Sequence, residues 1–265
     1  MGEGITFRRR EDVVYLGFDR PDKRNAYNRA VLDALDERLR EIAADPSVGC
    51  VVLHGDDTAF CSGGDLREVL DLAEQGADAL REGWFAPLLR VTQRLATLPA
   101  PTVAAVRGLA LAGGLELALC CDLLVVADDA RLGDQHINAG LIPGGGATDT
   151  LVRRVGAQRA KHLMLTGRRI SGREAAELGL ALWSAPREEF DAEVEALTDE
   201  IAGKRREAAR TIKLLVGPDL DPEAVRREQD VAAYDMSGEA VLERLRKFGS
   251  RSRSGSGSGS GGRGR

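Results

Sequence analysis

Glu116 lies in the run LALAGGLELALCC, two residues after the glycine pair Gly113-Gly114. Its neighbours Leu115, Leu117, Ala118 and Leu119 are apolar. A helix there would be apolar nearly all round and buried, with one carboxylate in its first turn. The helix dipole alone favours an acid at that place. A buried glutamate beside backbone donors is also a candidate general base. A second pair, Gly63-Gly64, sits in FCSGGDL, and a histidine, His136, stands 20 residues beyond Glu116. Glycine permits positive φ and close approach of a ligand to the main chain. A helix N-terminus adds unpaired N–H groups and partial positive charge. Two such N-termini converging on one point would make an oxyanion hole, each donor contributing ~3–4 kcal/mol to a transition state. The same glycines would equally serve two tight turns.

The elements that must position these residues follow from periodicity. Residues 5–9 and 13–18 are in strand style, with a turn at Arg10-Glu11-Asp12. Asn28 is placed to cap a helix from about 29 to 44, with Val31, Leu32, Leu35, Leu39 and Ile42 at helical spacing. CVVLH at 50–54 reads as a buried strand, followed by a loop to the first glycine pair. A helical pattern then runs from about 64 to 98, interrupted at Gly76 and Gly83. Residues 102–106 and 123–127 are two more buried strands, flanking the helix around 115–120. Strand, glycine, loop, glycine pair and helix thus occur twice, a loose internal repeat. Parallel strands each followed by a glycine-opened helix imply an α/β layer fold. From residue 149 the pattern turns helical, over 149–155, 157–165, 172–178, 189–216 and 222–248, with an extended link at 183–186. The expected organisation is a core at 1–190, a helical region at 191–249 and a disordered Gly/Ser/Arg tail at 250–265.

Composition excludes several classes. The net charge is −5, of which the tail's four arginines contribute +4, leaving −9 on residues 1–250. An acidic body argues against a nucleic-acid surface. No apolar run approaches the ~20 residues of a membrane helix. The four cysteines, at 50, 61, 120 and 121, form no CxxC, and no signal peptide is visible, so reduced thiols in a cytoplasmic protein are expected. A zinc site from Cys120, Cys121 and a histidine has the wrong ligand spacing, and no metal is expected.

Together, FCSGGDL at 60–66, AAVRGLALAGGLELALCCDLLVVADDARLG at 104–133 and GLIPGGG at 140–146 resemble the enoyl-CoA hydratase/isomerase, or crotonase, superfamily. RPDKRNAYN at 20–28 is similar to its early coenzyme A-contacting segment, and LTGRRISGREAAELGL at 165–180 to its helical link. The resemblance covers about residues 5–248. It implies a crotonase-like spiral of ββα repeats with a helical C-terminal trimerisation region that packs on or swaps with neighbours. It also implies a homo-trimer or dimer of trimers and an acyl-CoA substrate, coenzyme A being part of the substrate and no separate cofactor being needed. By the same match, the backbone N–H groups of Gly64 and Gly113 form the oxyanion hole, and Glu116 is the first catalytic glutamate. Lys23, Arg24 and Ala26 fall where the family meets coenzyme A.

The resemblance breaks at one position. Where two-glutamate hydratases carry Gly-Gln-Pro-Glu, this chain has Gly133-Asp134-Gln135-His136, and the Gln-Arg after the glycine turn is Asp149-Thr150. Histidine can still exchange a proton near neutral pH. Glu116 would activate water and His136 would handle the proton at C2, with Asp134 on the same side of an extended segment to orient it. The expected activity is hydration or dehydration of a 2-enoyl-CoA. Isomerisation, thioester hydrolysis or decarboxylation on the same fold stays open, as does a weakly catalytic binding protein.

Overall fold

The computed structural model describes residues 4–218 and 220–254. β1 (Ile5–Arg10) and β2 (Val13–Phe18) form an antiparallel hairpin. α1 (Arg29–Ala44) follows, and the Asn28 side chain accepts the Val31 N–H at 3.0 Å as its cap. Its apolar stripe, Val31, Leu32, Leu35, Leu39 and Ile42, is buried as the spacing predicts. Each of those side chains contributes ~1.5–3 kcal/mol of burial.

Next come β3 (Cys50–His54), β4 (Ala59–Cys61), α2 (Leu66–Ala73), α3 (Ala77–Leu80) and α4 (Ala86–Thr97). β5 (Thr102–Val106), β6 (Leu109–Leu111) and α5 (Gly113–Leu119) repeat the pattern. β7 (Leu123–Ala127), β8 (Arg131–Gly133) and α6 (His136–Ala139) repeat it again. The chain then runs through α7 (Ala147–Val155), α8 (Ala157–Thr166), β9 (Ile170–Ser171), α9 (Gly172–Glu177) and β10 (Trp183–Ala185). It closes with α10 (Phe190–Ala202), α11 (Arg206–Val216), α12 (Pro222–Met236) and α13 (Glu239–Ser254).

The strands form two sheets. The larger has the order β1-β2-β3-β5-β7-β10, parallel from β2 onward. The smaller has the order β4-β6-β8-β9, with only β9 antiparallel. Each ββα unit therefore visits the large sheet, then the small sheet, then a helix, and successive units stack side by side as a spiral. The segments read from sequence as loops after residues 54 and 106 contain β4 and β6. The polar stretch after residue 127 contains β8. Three-residue strands are too short to show a period, and only pairing with one another defines them.

Two long helical segments are also divided. The 189–216 pattern breaks between α10 and α11, around Gly203. The 222–248 pattern breaks at Ser237-Gly238, and α13 continues to Ser254, into the start of the expected tail. The rest of that tail lies outside the described residues. Between α3 and α4, Arg81–Phe85 form one π-helical turn. Pro87 has no N–H to offer the Gly83 carbonyl, which instead faces the Arg29 guanidinium at 3.5 Å. All four cysteines are buried and unpaired. Among the described residues no helix is long and apolar enough to cross a membrane.

Candidate active site

The small sheet assembles the site. β4, β6 and β8 are adjacent and parallel, so whatever follows them emerges at one end. After β4 come Gly63 and Gly64. After β6 come Ala112, Gly113 and, one turn on, Glu116. After β8 come Asp134 and His136. The β6 and β8 exits are tied by the Ala112 N–H, which donates to the Gly133 carbonyl at 3.0 Å. Ligand sites outside the carboxyl ends of parallel strands are a general property of α/β folds.

Glu116 is 1% exposed on the fully buried helix α5. Its Oε1 accepts the N–H of Gly145 at 2.8 Å and of Ala147 at 3.2 Å. Its Oε2 lies 3.8 Å from His136 Nε2. His136 Nδ1 in turn donates to Asp134 Oδ1 at 3.0 Å, and the His136 backbone N–H donates to the same oxygen at 3.2 Å. Asp134 thus contacts both the ring and the backbone N–H of His136. It lies in the short link between β8 and α6, two residues ahead of the first residue of α6.

The charges are mutually dependent. Burial pushes the Glu116 carboxyl up to about 7, with the charges of Glu228 and Asp134 adding to it, while His136 and the Gly145 N–H oppose it. Burial works against a charged His136. The hydrogen bond from Asp134 and the charges of Glu116, Asp134 and Glu228 outweigh it, pushing the imidazole up to about 9. The surroundings thus favour a charged imidazole next to a carboxyl raised above the usual carboxylate range.

Glu116 and His136 line a cavity of about 310 Å³ together with Gly64 and Ala112. Its walls are apolar where Trp84, Phe85, Leu88, Leu141 and Met236 meet, and polar where Arg24, Gln135, Asn138 and Arg169 stand. The π-helical turn carries Trp84 and Phe85 into that wall. Gly113 is the first residue of α5, immediately after the cavity-lining Ala112, which is held at φ 49° and ψ −126°. Such strained backbone persists only when its surroundings over-determine it. Neither Gly64 nor Gly113 has a positive φ; among the two pairs only Gly63 does, at 105°. Gly64 and Gly113 are required instead by close approach. A Cβ on Gly64 would meet the Trp84 ring at 2.3 Å, and one on Gly113 the Tyr27 hydroxyl at 2.1 Å.

Arg24 reaches the cavity. Lys23 and Ala26 do not line it; they belong to the same turn, which is fastened by the Ser62 N–H donating to the Arg24 carbonyl at 3.1 Å. His54 is half-buried, with Nδ1 2.9 Å from the Gly55 carbonyl, and His162 is exposed on α8; neither lines this cavity.

Four residues carry parts of the site that sequence reasoning missed. Tyr27 is 2% exposed, lines the cavity and stacks on Trp84 with ring centroids 5.4 Å apart. Asn25, 1% exposed, donates to the Ala59 carbonyl at 2.7 Å and accepts the Arg20 N–H at 2.8 Å, so it holds the Arg24 turn against β4. Glu228 and Gln229 reach in from α12 and bind the glycine turn at 144–148. In sequence both stand inside the polar run RREQD at 226–230, which hides them. Their spacing from Val225, Ala232, Ala233 and Met236 puts both on the buried face of α12, and that helical period was the available signal.

Three ββα units wound into a spiral, with a buried glutamate at the carboxyl ends of the inner strands, define a crotonase-type α/β fold. The family model described as enoyl-CoA hydratase/isomerase matches residues 8–240, and the chain belongs to that family. It is 36% identical over 211 residues to a Mycobacterium bovis protein named "Probable enoyl-CoA hydratase echA8", covering 80% of each chain. It is 33% identical to the mitochondrial enoyl-CoA hydratase of Pongo abelii, over 85% of this chain and 71% of that one. Among solved structures, the enoyl-CoA hydratase of Bacillus anthracis superposes with a TM-score of 0.77 at 30% identity, covering 94% of this chain and 97% of that one.

Proposed function

We propose that the protein hydrates, and in reverse dehydrates, a 2-enoyl-CoA thioester, with Glu116 as base and His136 as proton donor. The observation that carries this reading is the pair itself: Glu116 Oε2 and His136 Nε2, 3.8 Å apart and both at the cavity wall. The N–H groups of Gly64 and Gly113 polarise the thioester carbonyl, which makes C3 electrophilic. Glu116 Oε2 takes a proton from water as its oxygen bonds to C3, and the C2–C3 π pair moves onto the carbonyl oxygen as an enolate. The enolate collapses, and C2 takes the proton from His136 Nε2. The proton gained by Glu116 then passes to His136, so the pair resets without a group from outside the site. Arg24, with Lys23 and Ala26 in the same turn, meets the coenzyme A portion. Coenzyme A belongs to the substrate, and this chemistry needs no further cofactor. The comparisons support the reading through relatives named as hydratases.

Incubation with crotonyl-CoA and longer enoyl-CoAs tests it, read as loss of the conjugated-thioester absorbance with identification of the 3-hydroxyacyl product. Absence of turnover on every enoyl chain overturns it. Release of free CoA instead assigns hydrolysis, and a shifted double bond assigns isomerisation.

The protein is further read as a homo-oligomer, a trimer or dimer of trimers, in the cytoplasm. None of the eleven residues of α11 is buried, and Ile212, Leu214, Leu215 and Val216 are 62–81% exposed. An apolar helix face of that kind marks an interaction surface, and a second copy of the chain is its simplest occupant. Four unpaired, buried thiols support a reducing compartment.

A further inference from the structure

The turn that holds Glu116 is shared with a second buried carboxylate. Four successive N–H groups at the start of α7 alternate between two acids. Gly145 and Ala147 donate to Glu116 Oε1, at 2.8 and 3.2 Å. Gly146 donates to Glu228 Oε1 at 2.8 Å and Thr148 to Glu228 Oε2 at 3.0 Å, with the Thr148 hydroxyl on the same oxygen. Gln229, the next residue, donates to the Gly144 carbonyl at 2.8 Å and the Phe85 carbonyl at 3.3 Å. Glu228 is 6% exposed and sits on α12, more than 100 residues from Glu116 in sequence.

We propose that Glu228 is a positioning residue for Glu116: by holding alternate N–H groups of one turn, it keeps the other two aimed at the Glu116 carboxylate. The inference rests on the reading of Glu116 and His136 as the proton-transfer pair. A glycine-rich turn has many conformations open to it, and a carboxylate accepting three hydrogen bonds from it selects one. The charge matters as well as the geometry. Removing Glu228 removes a negative charge that favours the protonated imidazole and disfavours the ionised form of Glu116.

The charged surroundings are few. α5 presents Glu116 and the Cys120 thiol, and the corner after β8 presents Asp134 and His136. α7 contributes Asp149, which accepts the Asp221 N–H at 3.0 Å, and Arg154, which donates to the Cys121 carbonyl at 3.0 Å. The π-helical turn contributes Arg81, occupied by Asp78 and α12's own Asp230. α13 contributes Arg244, which packs on Gly140. Burial raises the Glu228 carboxyl and the His136 charge opposes this, while Glu228 in turn favours the charged imidazole.

The test uses Glu228→Gln, which keeps size and removes charge, and Glu228→Asp, which keeps charge and shortens the reach. With three histidines in the chain, the imidazole proton signals can be titrated by NMR, His54 and His162 serving as internal references. In Glu228→Gln the His136 midpoint falls by about 0.5–1 pH unit, as loss of one nearby charge predicts, while the two references stay. kcat drops by about 10–100-fold with KM within threefold, the pattern of lost transition-state geometry, and both limbs of the pH profile move to lower pH. Glu228→Asp restores the His136 midpoint but not kcat. An unmoved His136 midpoint together with an unmoved kcat, whatever happens to the melting temperature, overturns the proposal and leaves Glu228 as a structural tie. Should Glu228→Gln not fold, Thr148→Val removes one donor to Glu228 and is expected to lower kcat about threefold at constant KM; an unchanged kcat overturns the proposal there too. If no enoyl-CoA is turned over, the hydratase reading fails on its own assay, and an unmoved His136 midpoint in Glu228→Gln by itself then overturns this proposal.

Discussion

At the scale of the residue, the decisive fact about Glu116 is that its two oxygens have different tasks. Oε1 is held by two backbone N–H groups and Oε2 faces His136. Glu116→Gln keeps an Oε1 that can accept both N–H bonds and removes the base. It is expected to lower kcat by ~10³-fold or more while the melting temperature stays within about 5 °C; near-normal turnover would remove Glu116 from the mechanism. His136→Ala is expected to cost ~10²-fold or more, against less than twofold for His162→Ala on the exposed face of α8. Equal small effects would make His136 part of the wall. The pH dependence follows from the same pair. Below about 7 Glu116 binds a proton and cannot accept one from water. Above about 9 His136 has lost the proton it must give. For hydration, kcat/KM measured from pH 5.5 to 10 should therefore be bell-shaped, with its limbs near those values.

At the scale of the element, the glycine corners are places where a side chain has no room. Gly113→Ala drives a methyl group into the Tyr27 hydroxyl, and Gly64→Ala drives one into the Trp84 ring. Because Tyr27 and Trp84 stack on each other, either substitution disturbs both corners. Each is expected to destabilise the fold by ~1–3 kcal/mol and to lower kcat/KM by ~10²-fold. Denaturant unfolding and steady-state rates check this, and normal activity in a stable variant would argue that neither corner holds an oxyanion. The helices of the C-terminal region are part of the same machinery. Asp149 of α7 holds the start of α12, and α12 delivers Glu228 to the turn that binds Glu116.

At the scale of the whole molecule, α11 stands out because it docks through its polar residues and exposes its apolar ones. Lys213 reaches Asp122 at 2.7 Å and Arg210 reaches the Pro46 carbonyl at 3.1 Å. Leu214 and Leu215, each 79% exposed, face outward. Leu215→Asp is expected to shift the assembly toward monomer in sedimentation velocity. An unchanged sedimentation coefficient, whether monomeric or oligomeric, would place any interface elsewhere.

How much of this was legible in the sequence depended on the range of the interaction. The α1 stripe, the buried strands at 50–54, 102–106 and 123–127, and the buried glutamate after a glycine pair are local patterns, set by periodicity within a few residues. The motifs around Gly64, Gly113 and Glu116 carried the family as well. β4, β6 and β8 were not legible, because three-residue strands have no period and exist only by pairing with one another. Tyr27 could not be placed on Gly113, nor Glu228 on the Gly145–Thr148 turn, since each contact joins segments 80 or more residues apart. The sequence by itself determined which chemical groups are present and the local elements that carry them. Only the tertiary structure decided which of those groups share one buried, low-dielectric space, and that shared burial is what couples the protons of Glu116, His136 and Glu228.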